Sequence, residues 1–348
     1  MTTELALLLA QDGIANGAIY VLVALGIVLI FLVTRVIFIP FGDLVAYAAL
    51  TLAALEEGRL PGTLWLVLVL ALAAFAFEAA ALLRARAFRR LPRAALLWLV
   101  LPAAPVLAAW LVQGQAVPDA VLVLVSIGLV LPMGPLLYRI AFRPIADAPV
   151  LVLLIVAVVL HFAVSGVALM FFGPEGMRPR MLVNGTVTLG GLSFTGQTLL
   201  MLGTSALTAL LLWLFFGRTV AGKALRATAV NRVGARLMGI RPAVSGSIAF
   251  LLASLLAGVA GILIGPINTL AYDSGFIIGL KAFVGAIIGG MVSYPGAVLG
   301  ALFVGLLESF TAFWYSPFKE VVVFALLVPV LVLRSLFTET EEEAEEEL

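Results

Sequence analysis

Apolar stretches of spanning length follow one another along nearly the whole chain, and nothing constrains its fold more. They run near 17–34, 43–55, 64–83, 94–112, 120–138, 150–172, 197–216, 244–264, 277–292, 294–312 and 320–334. About 20 apolar residues carry a helix across a bilayer, so these stretches predict about eleven spans or part-spans. Lipid offers backbone N–H and C=O groups no partners, and a spanning segment must satisfy them within itself, as a helix does. Of 348 residues, 64% are hydrophobic and only 11% charged, whereas soluble domains carry about 25% charged residues. A water-soluble fold is excluded. The expected class is an all-α, polytopic transmembrane helical bundle. Its second and ninth segments are short and broken by glycine or proline, as suits half-helices that line a cavity.

Lysine and arginine collect in the loops that stay cytoplasmic. One alternate set of loops holds fifteen of them: Arg35, the five arginines between 84 and 93, Arg139 and Arg143, six residues between 218 and 241, and Arg334. The opposite set holds Arg59, Arg178, Arg180 and Lys319, and Lys281 lies at the edge of a span. The bias predicts an external N-terminus and a cytoplasmic C-terminus in a bacterial inner membrane. The start, MTTELALLLAQDG, lacks a basic region, so no cleavable signal peptide is expected. In the largest external loop, 173–196, VTLGGLSF reads as two short strands about a Gly-Gly turn. Seven of the 19 acidic residues fall in the last ten positions, a like-charge run that predicts a disordered, solvated tail over 338–348. Residues 1–337 form the expected transmembrane domain.

Several chemistries are removed by composition. The chain has no cysteine and a single histidine, which leaves no disulfide, thiolate site, catalytic cysteine or histidine-based metal cluster. No catalytic residue, metal site or cofactor is expected, nor a nucleic-acid partner. GRTVAGKA at 217–224 fits G-x-x-x-x-G-K, but Ala224 stands where a hydroxyl should hold magnesium and no strand precedes it. Any nucleotide hydrolysis belongs to another chain.

The segment GKALRATAVNRVGARLMGI, 222–240, lies between two spans within a basic stretch at 218–243. Leu225, Ala229, Val233 and Leu237 recur every four residues and predict one apolar stripe, with Lys223, Arg226, Arg232 and Arg236 around it. Gly234 is expected to break this element into two pieces. On physics alone it is equally a basic loop that fixes topology.

Here the chain resembles the permease subunits of branched-chain amino acid ABC importers, a family that includes urea and short-amide permeases. GKALRATAVN followed by ARLMGI resembles the family's cytoplasmic segment, and SLLAGVAGILIGPI at 254–267 its next helix. GLKAFVGAIIGGMVSYPGAVLGALFVGLLE at 279–308 resembles its most recognisable signature. NGAIYVLVALGIVLIFLVTRVI with Gly42-Asp43, and YRIAFRPIADAPVLVLLI at 138–155, resemble its first helix and central basic turn. The likeness covers roughly four fifths of the chain.

The resemblance implies an importer with two permease subunits, two cytoplasmic ABC ATPase subunits and an external substrate-binding protein, set in the lipid bilayer. The cargo would be a small polar solute, a branched-chain or related amino acid. The cytoplasmic segment would then dock on the ATPase, with Leu225, Leu237 and Met238 as contacts, Arg226 and Arg236 flanking them, and Lys223, Asn231 and Gly239 completing the element. The chain departs from the family at Asn231-Arg232-Val233-Gly234, where proline and an acidic residue are usual. It departs again at RVIFIPFGD, where Phe38 and Phe41 replace an asparagine and a histidine, which would make the translocation path more apolar. The alternative is a stand-alone secondary transporter or channel for a small solute such as urea or an amide. Such a carrier calls for an internal repeat or several charged mid-membrane residues, and neither pattern is visible. The apolar hairpin at 94–138, which typical members lack, reads as peripheral packing.

Ionisable residues inside spans are expensive and default to functional candidates. Lys281 and Glu308 are expected to pair across the 277–312 hairpin, and Glu78 to reach Arg84 or Arg86. His161, solitary in sequence, reads as a packing histidine. Asp43 reads as the cap of a short helix. With Phe38 and Phe41, Asp43, Lys281 and Glu308 are the candidate path residues. Glycines from Gly265 to Gly305 recur at spacings that let helices approach closely.

Overall fold

A computed structural model describes residues 3–189, 192–291 and 293–332. The expected acidic tail at 338–348 and Arg334 lie outside the described residues. The chain is built of helices: α1 Thr3–Thr34, α2 Phe41–Glu56, α3 Thr63–Arg84, α4 Phe88–Val112, α5 Asp119–Ile145 and α6 Val150–Phe172. After the strands β1 Thr186–Leu189 and β2 Leu192–Thr195 come α7 Gly196–Arg218, α8 Val220–Val230, α9 Arg232–Leu237, α10 Pro242–Ile264, α11 Ser274–Ile288, α12 Tyr294–Tyr315 and α13 Lys319–Ala325. Among the described residues, eight helical stretches are long and apolar enough to cross a membrane, the last running from Tyr294 to Val332. The two short segments expected from the sequence are α2 and α11, of 16 and 15 residues.

A helix that is hydrophobic all round belongs in the middle of a bundle, and α1 is that helix. It packs against α12, α10, α11 and α7, while α2 sits between α10, α11 and α5. Outward faces carry large apolar side chains such as Trp65, Trp110, Phe162 and Trp213, all more than half exposed. That is the surface lipid tails would cover, since hydrocarbon imposes no penalty on such groups. Association inside the bundle then depends on close packing, which small residues permit. Gly285 of α11 and Gly289, which caps its end, lie against Gly300, Ala301 and Gly296 of α12, and a Cβ at Gly289 would collide with the Gly296 carbonyl.

The hairpin expected in the long loop is present, with Thr186 opposite Thr195 and Val187 opposite Phe194. It is tied to the bundle where Gln11 donates to the Ser193 carbonyl at 2.8 Å. This defines a hairpin end of the bundle, opposite the basic end that carries α8 and α9. The hairpin at 94–138 is not wholly peripheral as expected. Its first arm, α4, lies outside on α3 and α5, but α5 enters the core, with Leu129, Val130 and Met133 fully buried against the α2 and α10 layer. A run of apolar residues looks the same in sequence whether lipid or protein covers it. Gly217 to Ala224, the false phosphate-loop match, spans the end of α7 and the start of α8, with Thr219 capping α8 by accepting from the Gly222 N–H at 2.9 Å.

Candidate functional site

The chain between α1 and α2 turns at Pro40, so α2 starts deep in the bundle at Phe41-Gly42-Asp43. Gly42 meets Gly275 of α11 backbone to backbone, with no room for a Cβ on either. Two short helices therefore begin side by side, and the partial positive charge of a helix N-terminus favours a carboxylate in its first turn. Asp43 occupies that turn of α2 and is 1% exposed. It is not the cap expected from the sequence, because Pro40 holds the cap position and the Asp43 side chain turns away from the helix end. Its Oδ2 lies 2.7 Å from Nδ1 of His161 on α6. His161 in turn stacks on Phe276, in the first turn of α11, with ring centroids 4.6 Å apart. The histidine that looked solitary is thus one half of a buried polar pair. Asp43 Oδ1 is buried without a hydrogen-bond partner among the described residues. One helical turn on, the Tyr47 hydroxyl donates to the Val164 carbonyl at 2.9 Å, a second polar tie between α2 and α6.

A second polar cluster joins four helices. Lys281 on α11 donates to Glu308 Oε1 on α12 at 2.6 Å, as the sequence led us to expect. Tyr20 on α1 donates to Glu308 Oε2 at 2.5 Å, and Glu320 of α13 lies 3.6 Å from the lysine. Buried charges persist only when paired and hydrogen-bonded. Both Glu308 oxygens are engaged, which leaves the cluster self-contained. Tyr20 was not foreseen, since nothing in its local sequence separates it from a core tyrosine.

Phe38 and Phe41 are both fully buried. Phe38 packs edge-on against Phe142 and Phe250, with centroids 5.8 and 4.9 Å apart, and Phe41 fills the space above Gly26. Glu78 does not reach Arg84 or Arg86. It accepts from Arg139 at 2.6 Å and Arg143 at 3.0 Å. Residues six apart on a helix lie on different faces, whereas the π-helical turn Tyr138–Phe142 of α5 brings Arg139 inward, where it is buried.

At the basic end, α8 and α9 form a separate element. The break between them falls at Asn231 rather than at Gly234. Asn231 is extended, with φ −147° and ψ 102°, and its side chain accepts from the Gly234 N–H at 2.8 Å to cap α9. An asparagine cap stops one helix and starts the next more decisively than an interior glycine weakens one. The expected single stripe is split by this turn. Leu225, expected as a contact, is 1% exposed and packs into the bundle, while Leu237 and Met238 are 84% and 82% exposed. Gly239 ends α9 with φ +80°, a left-handed position that glycine takes without strain. Lys223, Arg226 and Arg236 are exposed. Arg232 donates to the Ala146 carbonyl at 3.0 Å, and Arg236 lies 3.7 Å from Asp147. Both tie the element to the turn between α5 and α6.

Residues 103–331 match a family model described as the permease component of branched-chain amino acid transport systems. The chain is 33% identical over 203 residues to the high-affinity branched-chain amino acid transport system permease protein BraD of Pseudomonas aeruginosa, covering 56% of this chain and 66% of that protein. It is 31% identical over 202 residues to LivH of Escherichia coli, a permease protein described in the same words, with the same coverage. A probable LivH permease of Methanocaldococcus jannaschii matches over 105 residues at 31% identity. The aligned stretch thus spans just under two thirds of the length of the bacterial relatives. A polytopic helical bundle, two short helices with polar residues at their start and a basic helical element at one end accompany this match, and the chain belongs to the family of branched-chain amino acid transport permease components.

Proposed function

We propose that the chain is the membrane-spanning permease subunit of a bacterial ABC importer that carries a branched-chain or related amino acid. The observation that carries this reading, beside family membership, is the exposed pair Leu237 and Met238 at the tip of a capped and braced helical element on the basic end. Two large apolar side chains held in water by a rigid support suit a protein partner. That partner is an ABC ATPase subunit, two per complex, with Lys223, Arg226, Asn231, Arg236 and Gly239 shaping the contact and Leu225 anchoring it to the bundle. ATP hydrolysis belongs to those subunits, and this chain is non-catalytic. A second permease subunit and an external substrate-binding protein complete the assembly in the inner membrane. The basic end faces the cytoplasm, with the N-terminus outside and the C-terminus inside.

On this reading the solute path runs past Asp43, Lys281 and Glu308, and the rings of Phe38 and Phe41 close it toward the basic end. Pull-down of the detergent-solubilised wild type and of Leu237→Asp/Met238→Asp, with identification of the co-purifying chains and an ATPase assay, tests the proposal. ATP-binding chains recovered with the wild type and lost from the variant support it. A lone, ATPase-free protein that still moves solute into liposomes would overturn it in favour of a secondary carrier or channel.

A further inference from the structure

The turn from α3 to α4 carries Arg84, Arg86, Arg89, Arg90 and Arg93, five of ten successive residues. All five are exposed, and none of their side chains makes a hydrogen bond or ion pair among the described residues. No acidic residue occurs between Glu78 and Asp119, and Glu78 is already held by Arg139 and Arg143. Neighbours such as Arg89 and Arg90 lie well within the screening length of about 10 Å, so they repel one another with nothing nearby to answer them. The turn is nevertheless fixed. The Ala87 N–H donates to the Leu82 carbonyl at 2.9 Å and the Arg86 N–H to the Leu83 carbonyl at 3.1 Å, which holds Arg86 in the left-handed region at φ +52°. Glycine ordinarily takes that position at a helix end. An arginine kept there is a local conflict of the kind that accompanies function.

Apolar side chains frame this cluster. Phe77 and Leu83 of α3 and Phe88, Leu96 and Leu97 of α4 are exposed. Glu78, near the end of α3, is tied to Arg139 and Arg143 at the end of α5, beside the turn that receives Arg232, so the cluster belongs to the basic end of the bundle. Guanidinium groups without counter-charge, set over an apolar wall at the end of two spans, stand where the headgroups of a bilayer lie. Arginines that only orient a chain need neither a fixed turn nor an apolar frame. We propose that the α3–α4 turn is a docking surface for anionic phospholipid of the surrounding bilayer. The lipid phosphates sit on the arginines, whose paired N–H groups match phosphate oxygens, and the acyl chains run along Leu83, Leu96 and Leu97. A zwitterionic headgroup fits less well, because it brings an ammonium to five positive charges. The lipid supplies the negative charge that the protein lacks here, and so completes the turn from which the outer arm α4 hangs. The proposal goes beyond the permease reading and needs only that the chain spans a bilayer.

The chain has no cysteine, so Leu96→Cys, near the cluster, and Leu107→Cys, about three turns further along the same face of α4, each carry a single fluorescent label. Each labelled full-length protein is reconstituted into vesicles of phosphatidylcholine and phosphatidylglycerol in which one lipid or the other bears bromine on its acyl chains, and bromine quenches a label that it touches. At Leu96→Cys, brominated phosphatidylglycerol should quench as though enriched about fivefold over its bulk fraction, the ratio that corresponds to about 1 kcal/mol, one arginine's attraction to an anionic surface. At Leu107→Cys, quenching should follow the bulk fraction. Adding Arg89→Gln/Arg90→Gln/Arg93→Gln should return Leu96→Cys to the bulk fraction as well. Equal quenching by the two lipids at Leu96→Cys, the same enrichment at both positions, or enrichment that survives the triple substitution overturns the proposal. The lipid comparison with all five arginines in place keeps the test decisive if the triple variant fails to fold. No enrichment, together with an acidic protein that co-purifies with the parent and is lost from the triple variant, would assign the arginines to a protein partner instead. Enrichment in a chain that recruits no ATPase would sink the importer reading and leave this surface standing.

Discussion

His161 and Asp43 are 118 positions apart in the chain and 2.7 Å apart in the bundle. Each is nearly fully buried, so each answers a group that would otherwise sit unsatisfied in an apolar interior. Removing one partner of a buried hydrogen bond leaves the other with its desolvation penalty, about 1–3 kcal/mol and more for a charged group. His161→Ala should lower stability by that amount, read as a fall of several degrees in the melting temperature of the purified protein in detergent. His161→Gln, which can still donate to Asp43, should recover part of it. Equal melting of His161→Ala and wild type would mean the pair contributes nothing to the fold. This pair also marks where sequence reading stops. Lys281 and Glu308 were legible as partners because 27 residues of hairpin bring adjacent helices together. His161 was not, because no spacing rule connects α6 to the start of α2. Glu78 was misassigned for the same reason: near neighbours in sequence were favoured over Arg139, 61 positions away.

Element boundaries were legible wherever the bilayer dictates them. Among the described residues, the eleven apolar stretches became eight long helical spans, with the last two stretches joined in Tyr294–Val332, and the short α2 and α11. Hydrocarbon leaves the backbone no alternative, and length alone then sets the limits. Outside the apolar region that constraint vanishes, and side-chain caps decide instead. The basic element of α8 and α9 illustrates this, since its turn follows the Asn231 cap and rotates Leu237 away from Leu225. Asn231→Ala should therefore cost about 0.5–2 kcal/mol of local stability at α9. Hydrogen exchange of the Gly234 amide and its neighbours should speed up, while exchange in α10 stays unchanged. Uniform protection in both proteins would mean that α9 is held by Arg232 and Arg236 rather than by its cap.

At the scale of the whole molecule, the distribution of arginine and lysine sets a direction that the bundle itself does not. α8 and α9 lie at one end and the strand hairpin at the other, and the orientation proposed above, which follows the positive-inside rule, would put the former in the cytoplasm. Because the chain lacks cysteine, Leu237→Cys and Ser193→Cys provide clean reporters. In intact cells, an impermeant maleimide should label Ser193→Cys and leave Leu237→Cys untouched, and inverted vesicles should reverse the pattern. The opposite labelling would invert the whole assignment, the proposed ATPase surface included.

The contact of Gly42 with Gly275 gives the bundle a directional compliance. At this crossing backbone meets backbone and the nearest side chain is the Ala46 methyl, so nothing bulky interlocks the two short helices there. The resistance comes from dispersion contacts of only about 0.1–0.2 kcal/mol per atom pair. The Lys281, Glu308 and Tyr20 joint, by contrast, cannot shift without parting buried charges. The glycine crossing is thus the weaker of the two joints, and the charged one the firmer tie between α1, α11 and α12.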